Sequence, residues 1–419
     1  MSAPGRRTVW SWACYDWANS AYATVVLAGF FPLLFQDFWS TDADAATANL
    51  RLGWFNASAS LVIVLTAPLL GAVGDRAGAR KRLLLAFAVL GVLGTGLLAG
   101  VPGGDWLAAG LLFTCATVGF MGANIFYDAL LVSVAPRERW HAVSGLGFGL
   151  GYLGGGLLYL GCVLAALNPA AFGFSSTSEA ALAAFGATAL WWALFTLPLL
   201  IWVPEPAANA GDGTALGGGF RQLAATVRQL RAYRPVLVFL IAYWLYIDAV
   251  GTTIRMAVAY GRSLGFEQGD LIVALLITQF VGFPAAIAFG WLGERIGPRR
   301  GIFIGLGVYI GICAWGALIQ SAWEFYVIAV LVGLVQGGVQ SLSRSLYARL
   351  IPPAAAGEFF GFYNLLGKFA ALIGPPLFGL FGAWFGDVRY SMLALILLFV
   401  AGAAVLTRVR ETGPAPAPA

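Results

Sequence analysis

Apolar runs long enough to cross a bilayer follow one another along almost the whole chain, separated by short polar breaks. About 20 residues cover a hydrocarbon core of about 30 Å at a helical rise of about 1.5 Å per residue. Twelve stretches meet that length: 12–35, 54–73, 83–101, 106–134, 142–167, 181–203, 235–260, 270–292, 301–320, 323–348, 359–384 and 390–407. They predict an all-α membrane protein with twelve transmembrane helices. The first run extends back through Trp10, Trp12 and Trp17 and has no small-residue cleavage site after it, so it reads as a retained span.

The chain also repeats itself. Gly71-Ala-Val-Gly-Asp75-Arg76-Ala-Gly78-Ala-Arg80-Lys81 follows the second span, and Gly290-Trp-Leu-Gly-Glu294-Arg295-Ile-Gly297-Pro-Arg299-Arg300 follows the eighth, at an offset of 219 residues. Pro136, Gly145 and Gly151 are echoed by Pro352, Gly361 and Gly367 at an offset of 216. Two related six-helix units are therefore expected, over 1–203 and 235–419. The linker 204–234 is Pro/Gly/Ala-rich at its start. Phe220, Leu223, Val227 and Leu230 then recur at helical spacing beside arginines, which predicts a short amphipathic helix on the inner surface; a mere spacer is the alternative.

Composition narrows the class further. The chain is 60% apolar and 10% charged, against roughly 25% charged residues in soluble domains. Of its 24 basic residues, only Arg51, Arg262 and Arg389 fall in loops on one side, and Arg255 and Lys368 fall within spans. The rest gather on the other side, which places both termini in the cytoplasm. The net charge of +5 thus reflects orientation in the membrane, and no nucleic-acid partner is expected. Cys14, Cys115, Cys162 and Cys313 stand singly in apolar runs and read as small core residues, with no disulfide or metal spacing. There is one histidine, His141, placed in an inner loop as a bystander. No catalytic triad, metal cluster or phosphate loop is visible, so neither an enzyme nor a cofactor is expected.

The doubled loop has the pattern G-x-x-x-D-R-x-G-x-[RK], which resembles that of the major facilitator superfamily, with its two pseudo-symmetric six-helix bundles. A finer resemblance rests on Tyr15-Asp16-Trp17-Ala18-Asn19-Ser20-Ala21-Tyr22, on the stretch from Gly337 to Ser345, and on Glu358-Phe359-Phe360-Gly361-Phe362-Tyr363 with Lys368 and Gly374-Pro375. These are similar to the vacuole effluxer family, also called the unknown major facilitator family, which includes a fungal exporter of vacuolar amino acids. The resemblance implies amino-acid efflux. The chain departs from the family pattern at Ile247-Asp248-Ala249, where Asn-Asp-Gly is usual, and at Tyr127-Asp128, where Tyr-Asn is usual.

Polar residues locate the working surface. The interiors of spans 3, 6, 9 and 12 are almost wholly apolar and should face lipid. Spans 1, 4, 7 and 10, the cavity-lining set of the superfamily, carry polar faces at helical spacing. An ionised group at bilayer depth costs roughly 2.5 kcal/mol or more unless it meets protein or water, so each intramembrane charge needs a partner or a wet cavity. The expected substrate and coupling set is Asp248, Lys368, Asn364, Asp16, Asn19, Tyr22, Asn124, Tyr127, Gln336 and Gln340. Arg344 is expected to meet Asp128 or Asp16 when the inner side is closed. Asp75, Arg76, Glu294 and Arg295 are expected as loop latches. Lys368 and Asp248 are expected to pair in the empty carrier and to receive a zwitterion between them. For each charge the alternative is a fixed ion pair that only holds helices together. Gly147, Gly151 and Gly155 form a bare stripe on span 5 that lets another helix approach closely; the resemblance to the superfamily implies that span 5 packs on span 8.

The expected function is secondary transport, by alternating access, of a small polar or zwitterionic, amino-acid-like solute. Efflux and proton coupling are left open. The alternatives are a non-transporting membrane sensor or scaffold and an exporter of amphipathic drugs or lipids. The expected setting is a bacterial inner membrane, with the protein as a monomer.

Overall fold

The computed structural model describes residues 5–207, 233–369 and 373–409, and among these every regular element is helical. The first six helices are α1 (Arg6–Trp39), α2 (Ala45–Ala77), α3 (Arg80–Leu98), α4 (Trp106–Val134), α5 (Trp140–Leu167) and α6 (Thr177–Trp202). Then come α7 (Arg234–Ser263), α8 (Gln268–Ile296), α9 (Pro298–Gly316), α10 (Ala322–Leu350), α11 (Ala356–Phe369), α12 (Gly374–Phe385) and α13 (Ser391–Leu406). Ten are long and apolar enough to cross a membrane: α1–α8, α10, and α13 with the turn before it. α9 falls outside that set because it opens on Pro298, Arg299 and Arg300. The expected span 359–384 is not one helix but α11 and α12, with Pro375 and Pro376 in the first turn of the second. The amphipathic helix expected at 220–230 lies outside the described residues, as does the side chain of Lys368.

Several helices run past their apolar windows because capping, not hydropathy, ends them. α2 has 33 residues, about 50 Å. Asp44 accepts the Thr47 amide at its start, and Gly78 stops it at φ 59°. Gly297 ends α8 at φ 87°, so the last glycine in both copies of the repeated loop adopts a backbone that a side chain would oppose. α1 is wound wide over Tyr22–Phe30 and Phe35–Trp39. Pro32, between them, has no amide hydrogen for the regular ladder.

α1 packs on α5 and α6, α3 on α4 and α6, and α2 on α4. Among the later helices, α8 packs on α10, α7 on α13, and α9 on α10 and α13. The two sets meet where α5 lies on α8 and α10, and where α2 and α4 lie on α11. Leu93 and Leu97 of α3, Leu190 and Leu194 of α6, Ile304 of α9, and Leu397 and Val400 of α13 point outward. This is the apolar exterior that spans 3, 6, 9 and 12 are expected to show.

Candidate functional site

One end of the molecule gathers Arg6, Arg80, Arg137 and Arg349, and is called the basic end below. Just inside it, Arg344 of α10 is 2% exposed and reaches three helices of the first set. Its Nη1 donates to Asp128 Oδ1 of α4 at 3.0 Å and lies 3.8 Å from Asp16 Oδ2 of α1. Its Nε and Nη2 donate to the Ser144 hydroxyl and carbonyl of α5, both at 2.9 Å. The Ser144 hydroxyl in turn donates to the Ser341 carbonyl. Trp12, Tyr127 and Phe148 set ring faces 4.4–5.3 Å from the guanidinium carbon. Asp16 also accepts from Ser20 and from the Tyr127 hydroxyl. The Asn364 amide of α11 donates to Asp128 Oδ2 at 3.1 Å. Asn364, expected beside Lys368 at a bound ligand, therefore belongs to the Arg344 cluster in this state.

The two repeated loops each reach across to the opposite set of helices. Asp75 is 2% exposed. It accepts Arg80 Nε at 2.6 Å and the Gly357 and Glu358 amides in the first turn of α11, where unpaired N–H groups favour a carboxylate. Arg80 also donates to the Pro353 and Ala354 carbonyls. The ion pair in this loop joins Asp75 to Arg80: Gly78 turns the chain so that Arg80, in the next helix, meets the acid. In the second copy, Glu294 accepts the Ala142 amide in the first turn of α5, while Arg295 is exposed.

His141 is not in a loop. It lies in the first turn of α5, 1% exposed, with Nδ1 on the Ser345 hydroxyl at 2.7 Å and Nε2 3.0 Å from Arg349 Nη1. Two glycine stripes run along α5. A methyl group on Gly147, Gly151 or Gly155 would strike Tyr127, Ser20 or Thr24, so that stripe receives α1 and the Arg344 cluster. The stripe against α8 is Gly145, Gly149 and Gly156, facing Ala286, Ile287 and Gln279.

Deeper in the bundle, Asn19 donates to Asn124 at 2.6 Å and Tyr22 shares a hydrogen bond with Thr117. Gln279 of α8 donates to Thr24 of α1 at 2.8 Å, a bridge between the two sets that the sequence reading missed. Gln336 and Gln340 are half-buried on α10, and Gln336 Oε1 has no hydrogen-bond partner among the described residues. Asp248, 1% exposed, accepts the Ile373 and Gly374 amides at 3.1 and 2.9 Å and so caps α12 from α7. Thr252 donates to its other oxygen, and Arg255, one turn further on, lies within its electrostatic reach.

Comparison with known proteins gives consistent results. The family description "Vacuole effluxer Atg22 like" matches residues 54–137 and 133–413. An uncharacterized MFS-type transporter of Bacillus subtilis, YxiO, is 38% identical over 403 residues, covering 96% of this chain and 94% of its own length. Autophagy-related protein 22 of Coccidioides immitis is 28% identical over 65% of this chain and 49% of the fungal protein, so the match spans about half of that relative. Among solved structures, the proton:xylose symporter XylE has a TM-score of 0.75 at 15% identity, over 97% of this chain and 96% of that one. The transporter FucP, in an outward conformation, has a TM-score of 0.72 at 15% identity, over 97% and 100%. These structural likenesses show the major facilitator fold.

Proposed function

The chain belongs to the Atg22-like vacuole effluxer family of major facilitator transporters, and we propose that it moves a small zwitterionic, amino-acid-like solute by alternating access. It is a multi-pass membrane transporter and not an enzyme. Within this proposal α9 crosses the membrane, α11 and α12 cross it together, and the twelve spans form two six-helix units over 1–203 and 235–419. The basic end is cytoplasmic, with both termini, in a bacterial inner membrane, and the carrier works as a monomer. The observation that carries the reading is the buried Arg344 cluster. It joins α10 to α1, α4 and α5 by hydrogen bonds and ion pairs between side chains, a contact that two rigid units can make and release as a unit.

The interior offers both signs of charge, whereas a cavity for amphipathic drugs is mostly apolar with few polar groups. Asn19, Tyr22, Asn124, Gln336 and Gln340 supply neutral donors and acceptors, and Asp248 and Lys368 supply opposite charges to the ammonium and carboxylate of the solute. Uptake of radiolabelled amino acids by purified protein in liposomes, with and without a pH gradient, tests the reading. Saturable uptake of a zwitterion is expected. Lys368→Ala should abolish its binding, and Asp248→Asn, which removes the charge that meets the ammonium, should abolish counterflow together with gradient-driven accumulation; counterflow that survives while gradient-driven accumulation is lost would instead mark Asp248 as a proton-coupling group. Efflux of amphipathic dyes without amino-acid transport would favour the drug-export reading, and no flux of either kind would favour a sensor.

A further inference from the structure

Beside the basic end, α1, α5 and α6 border an open groove of about 430 Å³, within the usual range of about 300–1,000 Å³ for small-molecule sites. Trp10, Cys14 and Trp17 follow one another along one face of α1 and line it. Phe195 of α6 lies opposite and Leu150 of α5 forms part of the lining. The Ser11 hydroxyl is turned back to the Arg7 carbonyl at 2.8 Å, so the wall is apolar except at its mouth.

There Arg7 is exposed, with its guanidinium carbon 4.2 Å from the centre of the Trp202 ring. Among the described residues no carboxylate forms an ion pair with it. Leu194, Leu197 and Ile201 are exposed on α6 around the groove, so it opens onto the surface that meets lipid tails. Water gains little in such a slot, whereas an acyl chain fills it and a phosphate suits the planar donor fork at its mouth.

We infer that this groove is a binding site for an anionic phospholipid of the bilayer, with one acyl chain between α1 and α6 and the headgroup phosphate on Arg7. The inference rests on the chain being embedded in a membrane and not on the identity of its solute. The opposite face of α1 carries Trp12 and Asp16 of the Arg344 cluster, so the bound lipid supports that helix from behind.

Native mass spectrometry of the full-length protein, titrated with palmitoyl-oleoyl phosphatidylglycerol or the matching phosphatidylcholine, tests it. Phosphatidylglycerol adducts are expected at lower lipid concentration than phosphatidylcholine adducts. Arg7→Ala should weaken them about fivefold, the worth of one basic side chain at a membrane surface, and leave phosphatidylcholine unaffected. In a Cys115→Ala background, added phosphatidylglycerol should slow maleimide labelling of Cys14, and inorganic phosphate should not. Leu150→Trp should fill the groove and remove both effects. Equal binding of the two lipids, insensitivity to Arg7→Ala, or full protection of Cys14 without lipid would overturn the proposal, the last by showing that the chain itself occupies the groove.

Discussion

Burying the Arg344 guanidinium at 2% exposure is sustained by donors placed on three oxygens, Asp128 Oδ1 and the hydroxyl and carbonyl of Ser144, with the Asp16 carboxylate 3.8 Å away as a second negative charge. Removing one partner of such a pair costs about 3–5 kcal/mol because the other charge is left uncompensated. Arg344→Met would leave two carboxylates facing each other, and the basic end is expected to open. A cysteine in place of Ser345, which is fully buried, should then be alkylated faster than in the wild-type background; an unchanged rate would contradict the cluster's role as a lock. Asp128→Asn should speed labelling more than Asp16→Asn, since Asp128 is nearer Arg344 and also holds Asn364. Arg344, Asp128 and Asp16 were legible in sequence because a charge inside an apolar run must find a partner. The pairing of Asp75 with Arg80 was not, because it depends on the turn at Gly78. Nor was the burial of His141, whose partners Ser345 and Arg349 lie more than 200 positions away.

Among the elements, α5 works through two different bare faces. At Gly149 an added methyl group would lie 2.8 Å from Ile287 Cγ1 and 3.0 Å from the Phe283 carbonyl of α8. Gly149→Leu is therefore expected to cost at least the usual 1–3 kcal/mol or so of overpacking, read as a lower melting temperature of the purified protein. Gly161→Leu, with open space around its Cβ, should leave the melting temperature nearly unchanged; equal losses at both positions would contradict this packing. The glycine period was plain in the sequence, but which neighbour each stripe receives depends on helix rotation about its axis, which periodicity alone does not fix. The break between α11 and α12 had a local signal in Gly374-Pro375-Pro376, masked by the apolar residues on either side. The wide winding of α1 had only Pro32 to announce it.

For the whole molecule, bonds between the first six helices and the later ones concentrate at the basic end, through Asp75, Arg80, Arg137, His141, Ser144 and Arg344. Gly71 extends this seal to bare backbone: a methyl group there would collide with the Gly357 carbonyl of α11. Gly71→Ala is accordingly expected to shift the population toward an open basic end, as is Arg344→Met, although the two sites share no atoms. Such a shift needs a differential free energy between two states, and a fixed strut would supply none.

The most direct test is the distance between spin labels at Arg82→Cys and Arg300→Cys, both exposed at the basic end, at the starts of α3 and α9. It would be measured by pulsed electron paramagnetic resonance on cysteine-free protein in lipid nanodiscs. A dominant short distance is expected with Arg344 in place, and a second, longer population in Arg344→Met that grows at its expense. Identical distance distributions in the two proteins would contradict it.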